Sequence, residues 1–230
     1  MMKKTIKLLL PLTFFLILVI AACLPNDGDY SAYLDKAEAI YPGRPDSVIV
    51  MPGYNRANIN ALMSTDPRAV KIRLYWNSRR DSLDAVITKD EIAKRKIIEV
   101  PHIPEGVYTF ELVTFDKSGN KSVVTEKTGQ VLGPVYVKGL ANRIVKSKVS
   151  ITGSPAIIWY SETDTSSVMA GTEVAYKLSS GDSARIFTSK RRDTTILKNA
   201  AAGGKLILRT AYLPPNAIDT FYAKRDTIAY

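Results

Sequence analysis

Val70-Lys71-Ile72-Arg73-Leu74-Tyr75-Trp76 alternates apolar and polar side chains without a break. Val70, Ile72, Leu74 and Trp76 fall on one side and Lys71, Arg73 and Tyr75 on the other, the two-residue period of a strand with one buried face. The same period recurs on either side of it. Upstream, Ser47 to Met51 ends at Pro52-Gly53, and Arg56 to Met63 sets Ala57, Ile59 and Ala61 against Asn58 and Asn60. Downstream come Ser82 to Thr88, Lys96 to Val100, Val107 to Phe115 and Ser122 to Val131, with Asp116 to Asn120 a turn by composition. Seven short strands at this spacing predict an immunoglobulin-like β-sandwich.

The second half repeats the plan. Strands are expected at Val145 to Ile151, Ala156 to Tyr160, Glu173 to Leu178, Ser183 to Thr188, Thr194 to Leu197, Leu206 to Tyr212 and Phe221 to Tyr230. Tyr75 leads to Asp81-Ser82 six residues on, and Tyr176 leads likewise to Asp182-Ser183. Tyr75 lies 31 residues before Gly106, and Tyr176 lies 28 before Gly204. The expected fold class is all-β: two tandem sandwiches at 46–133 and 142–230, joined by a linker short enough to restrict bending.

The N-terminus is of another kind. Lys3, Lys4 and Lys7 precede the apolar run Leu8 to Ala22, which closes as Ile20-Ala21-Ala22-Cys23. Basic head, short apolar stretch and small residues describe a secretory signal peptide over 1–22. The run is shorter than the roughly 20 residues that span a bilayer. The arrangement resembles a bacterial lipobox, which implies cleavage before Cys23 and lipidation of its thiol. An ordinary signal peptide or a single membrane anchor is the plainer alternative. Residues 23–45 then read as a tether, with helical spacing at Tyr30 to Ile40.

Removing residues 1–22 takes away three lysines and no acid, so the net charge falls from +10 to +7. That balance allows an acidic polysaccharide as partner, or simply solubility, and export argues against nucleic acid. Cys23 is the only cysteine and His102 the only histidine. No intramolecular disulfide or thiolate metal site is then available, and His102, set between Pro101 and Ile103-Pro104, reads as a loop residue and not a triad member. Asp81 with Glu99, or Asp182 with Asp193, would be the carboxylate pairs of a glycosidase, but short-looped sandwiches promise no cleft between them. No enzyme, cofactor or metal is expected.

Trp76 and Trp159 read as core residues. Tyr108, starting a strand after Pro104-Glu105-Gly106, has the placement of a tyrosine corner. Sugar rings stack on exposed aromatics, so a ligand site is sought at Tyr75, Tyr54 and Tyr160, with Asn58 and its neighbours Asn55 and Asn60 as amides. An outward tyrosine is also ordinary sheet composition.

Several stretches together resemble a family of domains of unknown function, the DUF4998 type, found in Bacteroidota surface lipoproteins. They are Tyr41 to Ser47, Lys71 to Asn77, Pro104 to Phe110, Asp116 to Val123, Leu140-Ala141-Asn142-Arg143, Tyr212-Leu213-Pro214 and Ile218 to Tyr222. The resemblance implies fibronectin type III sandwiches, outer-membrane attachment facing the cell exterior, and an accessory, glycan-binding place beside envelope transport proteins in polysaccharide uptake. The alternative is a structural spacer or a protein-interaction or adhesion module. Asp27 and Asp29, shortly after Cys23, fit an export signal loosely.

Overall fold

The structure, a computed structural model, describes residues 41–164 and 167–230. The signal peptide, Cys23 and the helical spacing at Tyr30 to Ile40 lie outside the described residues.

In the first half, β1 (Asp46–Gly53), β2 (Arg56–Leu62) and β5 (Arg95–Val100) form one sheet in the order β1-β2-β5. A second sheet takes β3 (Lys71–Trp76), β4 (Asp81–Val86), β6 (Gly106–Phe115) and β7 (Thr125–Val131) in the order β4-β3-β6-β7. Every pairing is antiparallel. The alternation read from the sequence sets the core. Ala57, Ile59 and Ala61 of β2, Ile72 and Leu74 of β3, and Phe110 and Leu112 of β6 are each 0% exposed. Each large side chain among them stabilises the fold by about 1.5–3 kcal/mol. Trp76 is partly buried against this core.

The second half uses the same plan. β8 (Val145–Ile151), β9 (Ser154–Trp159) and β12 (Thr194–Ile196) make one sheet. β10 (Met169–Lys177), β11 (Ser183–Ser189) and β13 (Lys205–Tyr212) make the other, and β14 (Phe221–Tyr222) and β15 (Asp226–Ala229) both pair with β13. Ile157, Trp159, Val174, Tyr176, Leu206 and Leu208 fill its core. Trp159 needs a partner for its indole N–H in that dry setting, and Thr195 Oγ1 accepts it at 2.7 Å, while Thr188 lies 2.5 Å from the same hydroxyl. The chain is therefore two tandem immunoglobulin-like sandwiches of the fibronectin type III plan.

Two details depart from the sequence reading. The last strand is not continuous from Phe221 to Tyr230. Thr210 N–H of β13 donates instead to the Asn142 side-chain oxygen (2.8 Å), and the Asn142 amide donates to Lys224 O (2.7 Å). A linker side chain thus replaces one stretch of ladder and divides the strand. Second, Tyr75 and Tyr176 are not equivalent. Tyr75 shares a face with its ladder partner Ser82, whereas Tyr176, 5% exposed, points into the core opposite Leu206. A slip of one residue between the two copies reverses the side chain's direction.

Between the two sandwiches in the chain lies α1 (Pro134–Lys138), a short helix begun by Pro134 at a position where its missing N–H costs nothing. None of the described helices is long and apolar enough to cross a membrane.

Candidate functional site: the junction and its groove

The β1–β2 turn, the linker and residues 217–222 meet where the two sandwiches join. Gly53 closes β1, and a Cβ there would come within 2.7 Å of the Ile218 side chain, so glycine permits the approach. The backbone locks on both sides of it: Ile218 N–H donates to Pro52 O at 2.9 Å, Leu132 N–H to Gly53 O at 3.1 Å, and Asn55 N–H to Leu132 O at 2.7 Å. Asn55 takes a positive φ of 51°, a conformation asparagine tolerates better than most residues.

Asp219 is the hub. Its Oδ1 accepts from Arg56 Nη2 at 2.5 Å, and its Oδ2 accepts from Arg56 Nε at 3.1 Å and from Tyr54 N–H at 2.8 Å. A two-pronged guanidinium–carboxylate pair fixes orientation as well as charge. The Arg56 bond holds the Asp219 carboxyl below its usual range, with partial burial opposing and the Tyr54 N–H assisting.

The linker is held from both ends. Glu105 accepts from Val135 N–H (2.6 Å) and Tyr136 N–H (2.7 Å), satisfying free donors at the start of α1. Tyr136 meets Phe221 edge to face at 5.1 Å. Tyr212 donates its hydroxyl to Ala141 O at 2.5 Å, and Asn142 is bound to β13 as described. Arg143, 7% exposed, is buried within the second sandwich. Its N–H groups donate to the carbonyls of Tyr160 (3.0 and 3.2 Å), Arg192 (2.8 Å) and Lys190 (3.3 Å), and its guanidinium lies 5.7 Å from the Trp159 ring. Burial lowers its pKa, against the pull of Asp193 and Glu162.

Open grooves flank α1. One of about 510 Å³ is lined by Tyr54, Arg56, Val137, Asp219, Thr220, Phe221 and Tyr222. Another of about 460 Å³ runs between Glu105 to Val107, Gln130 to Leu132 and residues of the linker.

The four ligand candidates do not assemble into one platform. Tyr54, 47% exposed, lines the junction groove. Asn58 lies along β2, paired with Met51 and Glu99 in the β1-β2-β5 sheet. Tyr75 sits on the other sheet of that sandwich, beside the guanidinium of Arg79 at 5.3 Å. Tyr160, 56% exposed, follows β9 in the second sandwich and lends its carbonyl to Arg143. The imagined carboxylate pairs are likewise apart: Asp81 and Glu99 belong to different sheets, and Asp182 and Asp193 lie at opposite ends of β11. His102 is exposed in a bend with φ 53°. Among the described residues no three His, Cys, Asp or Glu side chains are grouped to hold a metal.

Two structural expectations are met. Tyr108 donates its hydroxyl back to Pro104 O at 3.0 Å, as a tyrosine corner does. Asp116 accepts from the N–H groups of Ser118 and Asn120 and from the Asn120 amide, with Gly119 at φ 87°, closing a hairpin turn. Sequence reasoning missed Arg56, Glu105 and Arg143 as junction or core-binding groups. Asn142, Arg143 and Asp219 stood inside stretches already singled out by family likeness, which was the available signal.

Solved fibronectin structures are similar to this chain at a distance. The FN1–FN3 domains of chicken CNTN1 match over 82% of this chain, which spans 65% of that segment, with 12% identity and a TM-score of 0.43. A two-domain fibronectin type III segment of chicken tenascin matches over 82% of this chain and 99% of its own, with 14% identity and a TM-score of 0.33. No curated protein matches it in sequence. Residues 23–221 match the family model DUF4998, a domain of unknown function, and the chain belongs to that family.

Proposed function

We propose that this protein is a non-catalytic, lipid-anchored module of the cell envelope, whose two sandwiches act as a stiff spacer and interaction support. The observation that carries this reading is the junction. Arg56, Asp219, Ile218, Glu105 and Asn142 bind the first sandwich, the linker and the second sandwich together by paired, directional bonds. Linkers that allow free domain motion lack such bonds. Attachment would be through acyl chains on Cys23 at the outer membrane, facing the exterior, beside transport proteins. Spin labels at Lys127→Cys and Ser183→Cys in a Cys23→Ser background test the stiffness. A narrow distance distribution that broadens in Asp219→Ala is expected; a broad one in the parent would remove the argument.

A second reading, a glycan-binding accessory of polysaccharide uptake, is favoured by Tyr54, whose exposed ring borders the larger groove near Tyr222. Neutral oligosaccharide arrays should then show binding that Tyr54→Ala weakens. An array with no signal for the parent protein would sink this reading.

A further inference from the structure

The two copies of the sandwich provide an internal comparison. On the outer face of β4-β3-β6-β7, three basic groups are paired with two acids: Arg73 and Lys71 share Asp84, and Arg79 pairs with Glu111. Glu126, opposite Glu111 in the ladder, adds a further acid to that face. The corresponding face of β11-β10-β13 is different. Arg185 and Arg209 both turn to Glu173, at 3.7 and 3.0 Å, and Arg225 borders the same small hollow of about 70 Å³. Two guanidinium groups there share one carboxylate, and a third borders the same hollow. Lys205 continues the positive charge along β13, exposed two residues before Ile207.

Apolar groups lie among these charges. Phe187 is 56% exposed and Ile207 is 46% exposed. Phe187 comes next to Glu173 in the ladder, and its ring lies over Gly171, where a Cβ would approach it to 2.7 Å. Arg209 is held in place by stacking on Tyr222 at 4.0 Å. The hollow, at about 70 Å³, is too small to enclose a sugar unit, and the face presents positive charge next to an exposed ring.

We propose that this face binds a carboxylated polysaccharide. A uronate unit carries its carboxylate and an apolar C–H ring face side by side in one rigid piece, matching guanidinium and phenyl groups set side by side on a sheet. Acidic peptides hold their carboxylates on flexible stems and pair with sheets along an open edge more readily than across a face. The inference holds whether or not the junction is stiff, and it does not use the groove at Tyr54.

The test uses the full chain in neutral detergent, with polygalacturonate as probe and dextran and polyglutamate as comparators. The parent protein should bind polygalacturonate in a salt-sensitive way and leave dextran unbound. Arg185→Gln with Arg225→Gln should weaken binding about tenfold. Arg73→Gln with Arg79→Gln removes the same charge from the first sandwich and should change binding less than about twofold. Both arginines of the first pair are exposed, so the thermal melt should be unchanged. If it drops, Phe187→Ala decides by the same assay, with binding about threefold weaker expected and unchanged binding counting against the proposal. Failure of the parent to bind, equal loss from both arginine pairs, or polyglutamate bound as tightly as polygalacturonate would each overturn it.

Discussion

Arg143 shows what a buried charge requires. Its guanidinium is out of water, and four N–H contacts to the carbonyls of Tyr160, Arg192 and Lys190 replace the lost hydration. Removing it would leave those part-buried carbonyls without their donor and a cavity beside Trp159, so Arg143→Ala should lower stability in urea unfolding by about 2 kcal/mol. A loss under about 1 kcal/mol would mean that water replaces the guanidinium freely. Tyr108 makes the opposite comparison, because its role is legible in Pro104-Glu105-Gly106-Val107-Tyr108 itself. In the second sandwich Leu206 stands two residues after Gly204, and a hydroxyl bond there comes from elsewhere: Tyr230 donates to Ala201 O at 2.8 Å. Local spacing reveals a bond made four residues back; it cannot reveal one made across the sheet. Arg143 and Asp219 stayed unread for the same reason, since their partners are distant in sequence.

Elements were read well wherever one face is dry and the other wet. β2, β3 and the first part of β6 each announce themselves by alternation, and each has its alternating apolar residues buried. α1 was missed because five residues are too few to display a helical period. The division of the last strand was missed because its cause, Asn142, stands in the linker. The four ligand candidates were chosen by residue type and strand parity, and neither says which sheet or which sandwich a strand joins. At the junction, the element-scale prediction concerns pH. Asp219 is held below its ordinary value by Arg56, so the pair contributes stability above about pH 4 and loses it as pH falls through the lowered value. The spin-label distance should stay narrow down to about pH 4 and broaden below it. Broadening already near neutrality would assign the lock to other groups.

For the molecule as a whole, attachment and surface charge belong together. The net charge of +7 after residue 22 is uneven, with the first sandwich's sheet face balanced and the second's basic. Two or three acyl chains on Cys23 would give lasting membrane association where one chain gives only reversible binding. Cys23→Ala should therefore move the protein from the membrane fraction to the soluble fraction on cell lysis. Persistence in the membrane fraction would show that something other than acylation holds it.

Arg56 and Asp219 are 163 residues apart in sequence. Their contact closes so long a loop that it forms late, after each sandwich has gathered its own local hairpins. Folding would then proceed as two separate collapses followed by a docking step, with the ion pair acting as the latch. The same order run backwards makes the junction the first place to open under load, with each β-sandwich left intact behind it.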